Sequence, residues 1–220
     1  TELSQFLADF SKIEGNKILV HGGGKSATKM AQSIGLVPQM IDGRRITDQP
    51  MLDVVVMIYA GKINKNIVAQ LQAIDTNAIG FSGADGNLIQ STKRNHPTID
   101  YGFVGDVQKV NTALLETLIS NGIAPVFCAI THDKKGQLLN TNADTIASEL
   151  AIAASEVYEV TLNYCFEKAG VLTDVEDENS VIQQINSALY AKLKELVHNL
   201  GVGQYNFVWF FLRSLSLKYI

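Results

Sequence analysis

Apolar positions recur at helical spacing in two parts of the chain. Leu3, Phe6, Leu7 and Phe10 repeat every three to four residues, and residues 49–73 keep the same spacing over a longer stretch. The pattern therefore predicts a helix at the start of the chain and a long helix over 49–73. The apolar side of the long helix is wide enough to cover a sheet, and it could also form a dimer face.

Short apolar runs elsewhere in the chain predict strands. A continuous apolar run over residues 124–130 is typical of a strand buried on both faces of a parallel sheet. Because strands and helices alternate, we expect an α/β fold with a mainly parallel central sheet and helices on both faces. The other predicted strands are 17–20, 77–81, 88–93 and 157–164, and the other predicted helices are 25–33, 111–121, a helix opening within 140–144 and ending at 154, and 187–199.

Three glycines join the predicted strand 17–20 to the helix that follows it. Gly22, Gly23 and Gly24 lack Cβ atoms, so an anion can approach their backbone closely. The free N–H groups and the dipole of the following helix favour negative charge at that point. The stretch therefore predicts a phosphate site.

Other interpretations of the glycines remain open. A P-loop would need glycine at position 19, where the chain has Leu19, so that interpretation fails. The dinucleotide-binding pattern G-x-G-x-x-A fits Gly22, Gly24 and Ala27, with Asp42 near the distance expected for its acidic residue. Asp42 lies in an Asp-Gly pair typical of a turn, which makes this match weak. A tight turn without a ligand needs fewer glycines.

Two arginines follow the predicted turn at residues 42–43. Arg44 and Arg45 are adjacent, and side chains on an extended segment alternate between faces. One of them can therefore point inward and bind a carboxylate through two hydrogen bonds. The alternative is a pair of solvated surface charges.

A polar cluster follows the buried run 124–130 and a short predicted hairpin. Asn140, Asn142 and Asp144 fall within five positions at the predicted start of a helix. A single such residue is usually only a helix cap. Three of them favour an additional role in binding polar ligand groups.

Composition excludes several classes of partner. The chain has 220 residues, a net charge of −4 and no basic run, so nucleic acid and anionic membranes are poor partners. No leader peptide is recognised, and no apolar run is long enough to span a membrane. Cys128 and Cys165 fit buried, reduced thiols. We therefore expect a cytoplasmic protein. The four histidines share no metal-ligand spacing, so no metal held by protein side chains is predicted.

Several motifs in order resemble the N-acetylglutamate kinase family, of the amino acid kinase fold, over about residues 1–191. The resemblance implies a three-layer αβα sandwich that uses ATP and Mg²⁺ to phosphorylate the γ-carboxylate of an N-acylated glutamate, a step of arginine biosynthesis. It also implies a homodimer. The matching stretches are 20–24 (VHGGG), 42–47 (DGRRIT), 80–85 (GFSGAD), 102–107 (GFVGDV), 140–144 (NTNAD) and 170–172 (GVL).

The resemblance implies roles for residues that bind the substrate. Backbone N–H groups of Gly23 and Gly24, beside Gly22, would hold the transferring phosphoryl group and the attacked carboxylate. Arg45 would clamp the substrate α-carboxylate. Asn140 would bind the N-acyl and amino-acid portion. These residues lie in residues 1–150, the expected N-acylglutamate-binding part of a single domain spanning 1–220.

The resemblance also implies roles for residues nearer the nucleotide. Asn142 would assist in substrate binding, and Asp144 would orient catalytic groups around the phosphates. The loop after the strand 157–164, with Tyr164, Glu167 and Gly170, would bind ATP. Residues 151–220 are therefore expected to form a partial nucleotide-binding part.

The chain also departs from the family pattern. The family carries one catalytic lysine in a Lys-x-Gly-Gly strand and another in a Gly-Met-x-x-Lys segment, and neither motif occurs here. Lys192, Lys194 and Lys218 do not fit these motifs, so we expect poor turnover. The tail, residues 195–220, has no family counterpart. We expect it to come from a reading-frame shift or an altered gene end, and we expect the start of the chain to be truncated. The apolar run 207–212 of this tail would form a buried strand or an exposed patch.

Two other functions remain open. A non-catalytic acyl-amino-acid-binding or regulatory protein would keep the substrate pocket without turnover. A dinucleotide-dependent oxidoreductase would follow from the G-x-G-x-x-A pattern alone. The sequence leaves the acyl group undecided between acetyl and a larger group such as succinyl.

Overall fold

A computed structural model describes residues 1–41, 44–165 and 177, together with the backbone of Phe207–Ser214. Glu167, Gly170, the turn at residues 42–43 and the helix predicted over 187–199 lie outside the described residues.

Helices form where the apolar spacing predicts them. Thr1 caps the first helix with its side chain, and Asp48 and Asn111 cap two later ones in the same way. The described α-helices are α1 (Glu2–Lys12), α2 (Gly24–Ser33), α3 (Gln49–Val56), α4 (Asn64–Gln72), α5 (Thr112–Ser120) and α6 (Ala143–Ala154).

The long helix predicted over residues 49–73 is not uniformly α-helical. A π-helical segment, Met57–Ile63, separates α3 from α4. Apolar spacing cannot distinguish these helix types, because both place a residue on the buried side about once per turn. Wide turns of this kind are frequent at functional sites, and Tyr59 and Ile63 in this one lie against the glycine turn.

The main sheet has five described strands in the order β10-β11-β1-β7-β4. β1 and β4 both pair with β7 in parallel, whereas β11 is antiparallel to both β1 and β10. β10 therefore runs in the same direction as β1, and the sheet is mainly parallel, as predicted. These strands are β1 (Asn16–His21), β4 (Ala78–Phe81), β7 (Ala124–Cys128), β10 (Tyr158–Cys165) and β11 (Phe207–Ser214).

Two smaller sheets cover the carboxyl side of the main sheet. One is a two-stranded hairpin and the other has the strand order β6-β5-β8-β9. Their strands are β2 (Met40–Ile41), β3 (Arg44–Arg45), β5 (Ile89–Lys93), β6 (Gly105–Val110), β8 (Ile130–His132) and β9 (Leu138–Asn140).

The prediction of one strand over residues 124–130 is wrong. β7 ends at Cys128, and β8 begins at Ile130 in a different sheet. The Ala129 carbonyl between them accepts a hydrogen bond from Thr141 N–H at 3.0 Å. The run is apolar throughout because both sheets are buried there, so hydrophobicity does not reveal the corner.

Helices cover both faces of the main sheet, which gives the expected three-layer αβα arrangement. Ile18 and Val20 of β1 lie in a core cluster with α2, α3, α5 and α6, whereas Leu19 lies in a second cluster with α1 and α4. This division follows from the alternation of side chains along a strand. The tail run 207–212 lies within β11, so it forms a strand, one of the two predicted alternatives. No helix in the described ranges is both long and apolar enough to cross a membrane.

Candidate active site

The candidate site lies at the carboxyl ends of the parallel strands. His21, the last residue of β1, is level with Cys128 of β7, and Phe81 at the end of β4 is level with Phe127. The segments that leave β1 and β7 there carry the predicted polar residues. Open parallel sheets bind ligands at this edge.

The glycine turn after β1 is built for close approach. Gly23 has a φ of +158°, and a Cβ there would lie 2.5 Å from Ile63 Cδ1 and 2.8 Å from Tyr59 Cδ1. No side chain caps α2, and within the described residues no group accepts from the N–H of Gly23 or Gly24. The turn therefore presents unused donors at a helix N-terminus, which is the requirement for binding an anion.

Arg45 points inward, as one of the two interpretations of the arginine pair predicted, while Arg44 is exposed. Arg45 is only 7% exposed. Its Nη2 donates to Gly24 O at 3.2 Å and to Thr28 Oγ1 at 2.9 Å, and its Nη1 lies 3.9 Å from Met51 Sδ. These partners are all neutral, so the buried charge has an incomplete environment that an anion would satisfy.

Tyr59 connects the glycine turn to Arg45. Its ring lies against Gly23, and it is nearly fully buried. Burial raises the pKa of the Tyr59 phenol, and the nearby Arg45 charge offsets part of that rise. The Tyr59 phenol is therefore neutral, and it does not neutralise the positive charge of Arg45.

Asn140 is the last residue of β9, and the helix predicted to open within 140–144 begins at Ala143. Its Nδ2 donates to Thr47 Oγ1 at 3.0 Å, and its backbone N–H donates to Phe103 O at 2.8 Å. Thr47 follows β3 and is fully buried. Hydrogen bonds thus connect Gly24 to the Arg45 side chain and Asn140 to Thr47. The link between these two pairs is the Thr47 hydroxyl, which donates to the backbone carbonyl of Arg45 at 3.4 Å and not to its guanidinium.

The start of α6 uses Asn142 as its cap. Asn142 is exposed, and its Oδ1 accepts from Asp144 N–H at 2.7 Å. The helix begins at Ala143 because the backbone of Asn142 is still extended. The capping interpretation of this residue is therefore confirmed, and its substrate-binding role stays a prediction.

Asp144 has an unusual environment. Its Oδ1 is buried and has no hydrogen-bond partner among the described residues. Burial raises the pKa of this carboxyl to about 7. A carboxyl group with a raised pKa and an oxygen that lacks a hydrogen-bond partner, at the edge of a parallel sheet, is typical of a functional site.

Tyr164 lies near the end of β10, and its hydroxyl is 2.9 Å from Ser148 Oγ of α6. Ser148 is one helical turn after Asp144, so the strand that leads into the predicted nucleotide loop is tied to the helix that carries the carboxyl.

Sequence reasoning missed three residues around the turn. His21 is fully buried, and no role was predicted for its partner Asn64, for Thr47 or for Gly102. Gly102 has a φ of +70°, and a side chain there would collide with the backbone of Thr47. A buried asparagine interrupting an apolar helix face was the only available signal for Asn64.

Comparison with known proteins identifies the family of the chain. Its residues 1–204 match the amino acid kinase family. Acetylglutamate kinase of Bacteroides fragilis (strain ATCC 25285) is 56% identical over 190 residues, covering 86% of this chain and 73% of that protein. The acetylglutamate kinase of Phocaeicola vulgatus is 59% identical over 183 residues, covering 83% and 71%.

A solved structure agrees on the fold. The crystal structure of smu.665 from Streptococcus mutans UA159 superposes with a TM-score of 0.67 at 24% identity, covering 89% of this chain and 76% of that one. Taken with the family match and the high identity over most of the length, this shows that the chain belongs to the amino acid kinase family, in the group of the acetylglutamate kinases.

Proposed function

We propose that the protein transfers the γ-phosphoryl group of ATP to the γ-carboxylate of N-acetyl-L-glutamate, a step of arginine biosynthesis. The identity to proteins named acetylglutamate kinase supports this activity. The same relatives do not favour a non-catalytic binding protein or a dinucleotide-dependent oxidoreductase.

One structural observation carries the proposal: an uncapped glycine turn lies in direct contact with a buried arginine. The unused donors at Gly23 and Gly24 and the guanidinium of Arg45 meet at Gly24, where Arg45 Nη2 is 3.2 Å from the carbonyl oxygen. Two anion-receptive groups side by side suit a reaction between two anions.

The chemistry needs little more than positioning and charge stabilisation. A carboxylate is already deprotonated at neutral pH, so it can attack phosphorus without a general base. The N–H groups of Gly23 and Gly24 would hold the transferring phosphoryl group and the attacked carboxylate, beside Gly22. Arg45 would hold the α-carboxylate of the same substrate, which fixes the distance between its two ends.

Asn140, Asn142 and Asp144 would complete the substrate side. The Asn140 amide is held by Thr47 and would bind the acetylamino portion. Asn142 would add a polar contact besides capping α6. Asp144 would orient cationic groups around the phosphates, and its unsatisfied Oδ1 leaves room for such a partner.

ATP would bind beyond the end of β10, where Tyr164 leads into Glu167 and Gly170. Mg²⁺ would be held mainly by the nucleotide phosphates. Among the residues that the structure describes, no group of three or more His, Cys, Asp or Glu is placed to hold a metal ion. Residues 1–150 would then bind acetylglutamate and residues 151–220 would contribute to nucleotide binding, within one domain.

The protein would act as a homodimer in the cytoplasm. Met57, at the start of the π-helical segment, is 53% exposed, which makes the outer side of this long helix a candidate dimer surface. The thiol of Cys128 is free and buried, as suits a reducing compartment.

Calorimetric titration with N-acetyl-L-glutamate, with and without MgATP or a non-hydrolysable analogue, tests the proposal. Acetylglutamate should bind, and N-acetyl-L-aspartate, shorter by one methylene, should bind at least ~10-fold more weakly, because its carboxylates cannot reach both Arg45 and the glycine turn. A coupled assay of ADP release then measures turnover. Equal affinity for the two ligands, or no binding of either, would contradict the proposed substrate.

A further inference from the structure

We propose that His21, held by Asn64, is a positioning residue that aims the Gly23 N–H at the ligand. This inference rests on the proposed function, because it explains how the glycine turn keeps its donors facing the site. His21 does not touch substrate, since its side chain is fully buried behind the turn.

The hydrogen bonds around Asn64 leave one arrangement of its amide. Its Nδ2 lies 2.9 Å from Val126 O, which can only accept, and its Oδ1 lies 3.2 Å from Lys65 Nζ, which can only donate. Both ends of the amide are thereby identified without ambiguity. Gly80 makes this position possible, because a side chain there would occupy the space of the Asn64 amide.

The amide of Asn64 then sets the tautomer of His21. One Nδ2 hydrogen goes to Val126, and the other points at His21 Nε2 at 3.1 Å. Nε2 must therefore be the acceptor, and the proton of the neutral ring lies on Nδ1. Nδ1 is 2.8 Å from Gly22 O, so His21 donates to that carbonyl.

The Gly22 carbonyl in turn sets the direction of the next N–H. A trans peptide is planar, and its C=O and N–H point in opposite directions. Because His21 draws the Gly22 oxygen toward the core, the Gly23 N–H points away from the core and into the space ahead of α2. Glycine has the largest conformational freedom of any residue, so a turn of three glycines needs such an external restraint.

Burial keeps the ring in the required state. The pKa of His21 is lowered to about 4, chiefly by desolvation, so the ring is neutral at physiological pH. No charged group among those that bond to the ring competes for its proton, since its partners are the Gly22 carbonyl and the Asn64 amide.

Two substitutions separate positioning from a merely structural role. The side-chain nitrogen of His21→Asn can replace Nδ1 as the donor to Gly22 O, whereas the side-chain oxygen of His21→Gln can replace Nε2 as the acceptor from Asn64. Each variant loses one buried hydrogen bond, so their stabilities in urea should fall by similar amounts. The proposal expects H21N to bind acetylglutamate within about 3-fold of the unaltered chain and H21Q to bind at least ~10-fold more weakly. Equal losses in both variants would overturn it.

Two magnetic resonance measurements do not depend on the ligand. In the unaltered protein, the ring nitrogens should report the tautomer protonated on Nδ1 at pH 7, and a proton on Nε2 would overturn the inference. The amide signal of Gly23 should stay in place in H21N and shift in H21Q. If the unaltered chain failed to bind acetylglutamate, the proposed function would fail, while these two signals would still decide the role of His21.

Discussion

The glycine turn and the start of α6 are two parts of one site that differ in how their polar groups are satisfied. Around the turn, His21, Asn64 and Arg45 all have partners in the protein. At α6, Asp144 Oδ1 is buried and has none within the described residues. The difference indicates that the chain itself organises the anion-binding part, whereas the part around Asp144 is satisfied by a group that arrives with the ligands or from beyond the described residues.

The largest effect should come from filling the turn. Gly23→Ala would place a methyl group 2.5 Å from Ile63 Cδ1, in a backbone conformation unfavourable to alanine. We expect the free energy of unfolding to fall by about 3 kcal/mol and acetylglutamate binding to be lost. Urea unfolding and calorimetry measure both.

Gly61→Ala is the matched control, because a Cβ there meets nothing within 4 Å and the residue lies in the adjacent π-helical segment. It should leave stability unchanged or raise it by up to about 1 kcal/mol. If G23A bound acetylglutamate as tightly as G61A does, the glycine turn would not be part of the binding site.

Arg45→Met should separate binding from stability. We expect the Kd for acetylglutamate to rise at least ~100-fold, because the α-carboxylate loses its charged partner. Stability should hold or increase, since the variant removes a buried charge with neutral partners. Arg44→Met, at the exposed neighbour, should change the Kd less than about 2-fold. Similar Kd values for R45M and R44M would contradict the role of Arg45.

Asp144→Asn should change the pH dependence of stability. The native carboxyl has a pKa of about 7 against an ordinary value of 3.8, so between pH 4 and 7 the native state binds more protons than the unfolded state. Its contribution to the free energy of unfolding therefore declines as pH rises through that window. We expect D144N to lack this decline, gaining on the order of 4 kcal/mol over the unaltered protein between pH 4 and pH 8.

His21 contributes with the opposite sign. Its pKa is lowered to about 4 from 6.5, so its contribution rises with pH between these values. The difference between D144N and the unaltered protein cancels this term, because both contain His21. Parallel stability curves from pH 4 to 8 would show that Asp144 is ionised in the native state and has a partner.

The smallest effect should come from the cap of α6. Asn142→Ala should lower the free energy of unfolding by about 1 kcal/mol. Asn111→Ala, which removes the cap of α5, provides the comparison, because its side chain accepts from Leu114 N–H in the same way. If Asn142 also binds substrate, N142A alone should raise the Kd for acetylglutamate. An unchanged Kd would limit Asn142 to capping.

Local pattern was enough to predict the strand, the glycine turn and the helix after it, because spacing and glycine content are properties of neighbouring residues. Alternation along a strand predicted that one of the two arginines could point inward, and the family resemblance pointed to Arg45. The corner at Ala129 and the π-helical segment were missed. In each case the residues before and after the irregularity are buried, so the apolar pattern continues through it without a change. The helix opened within 140–144 as predicted, but the place of Asn140 in a strand was missed, because Asn140 bonds to Thr47, which is far away in the chain.

The junction around Thr47 connects three distant segments. Thr47 N–H donates to Tyr101 O at 3.0 Å, Phe103 N–H donates to Thr47 O at 2.7 Å, and Asn140 N–H donates to Phe103 O at 2.8 Å. Thr47 lies outside every multi-residue strand, yet its amide should exchange with deuterium as slowly as those of the central strands, because releasing it means separating all three segments. The substrate side would then open only with global unfolding, and the slow-exchanging core of the molecule would extend to the floor of the site.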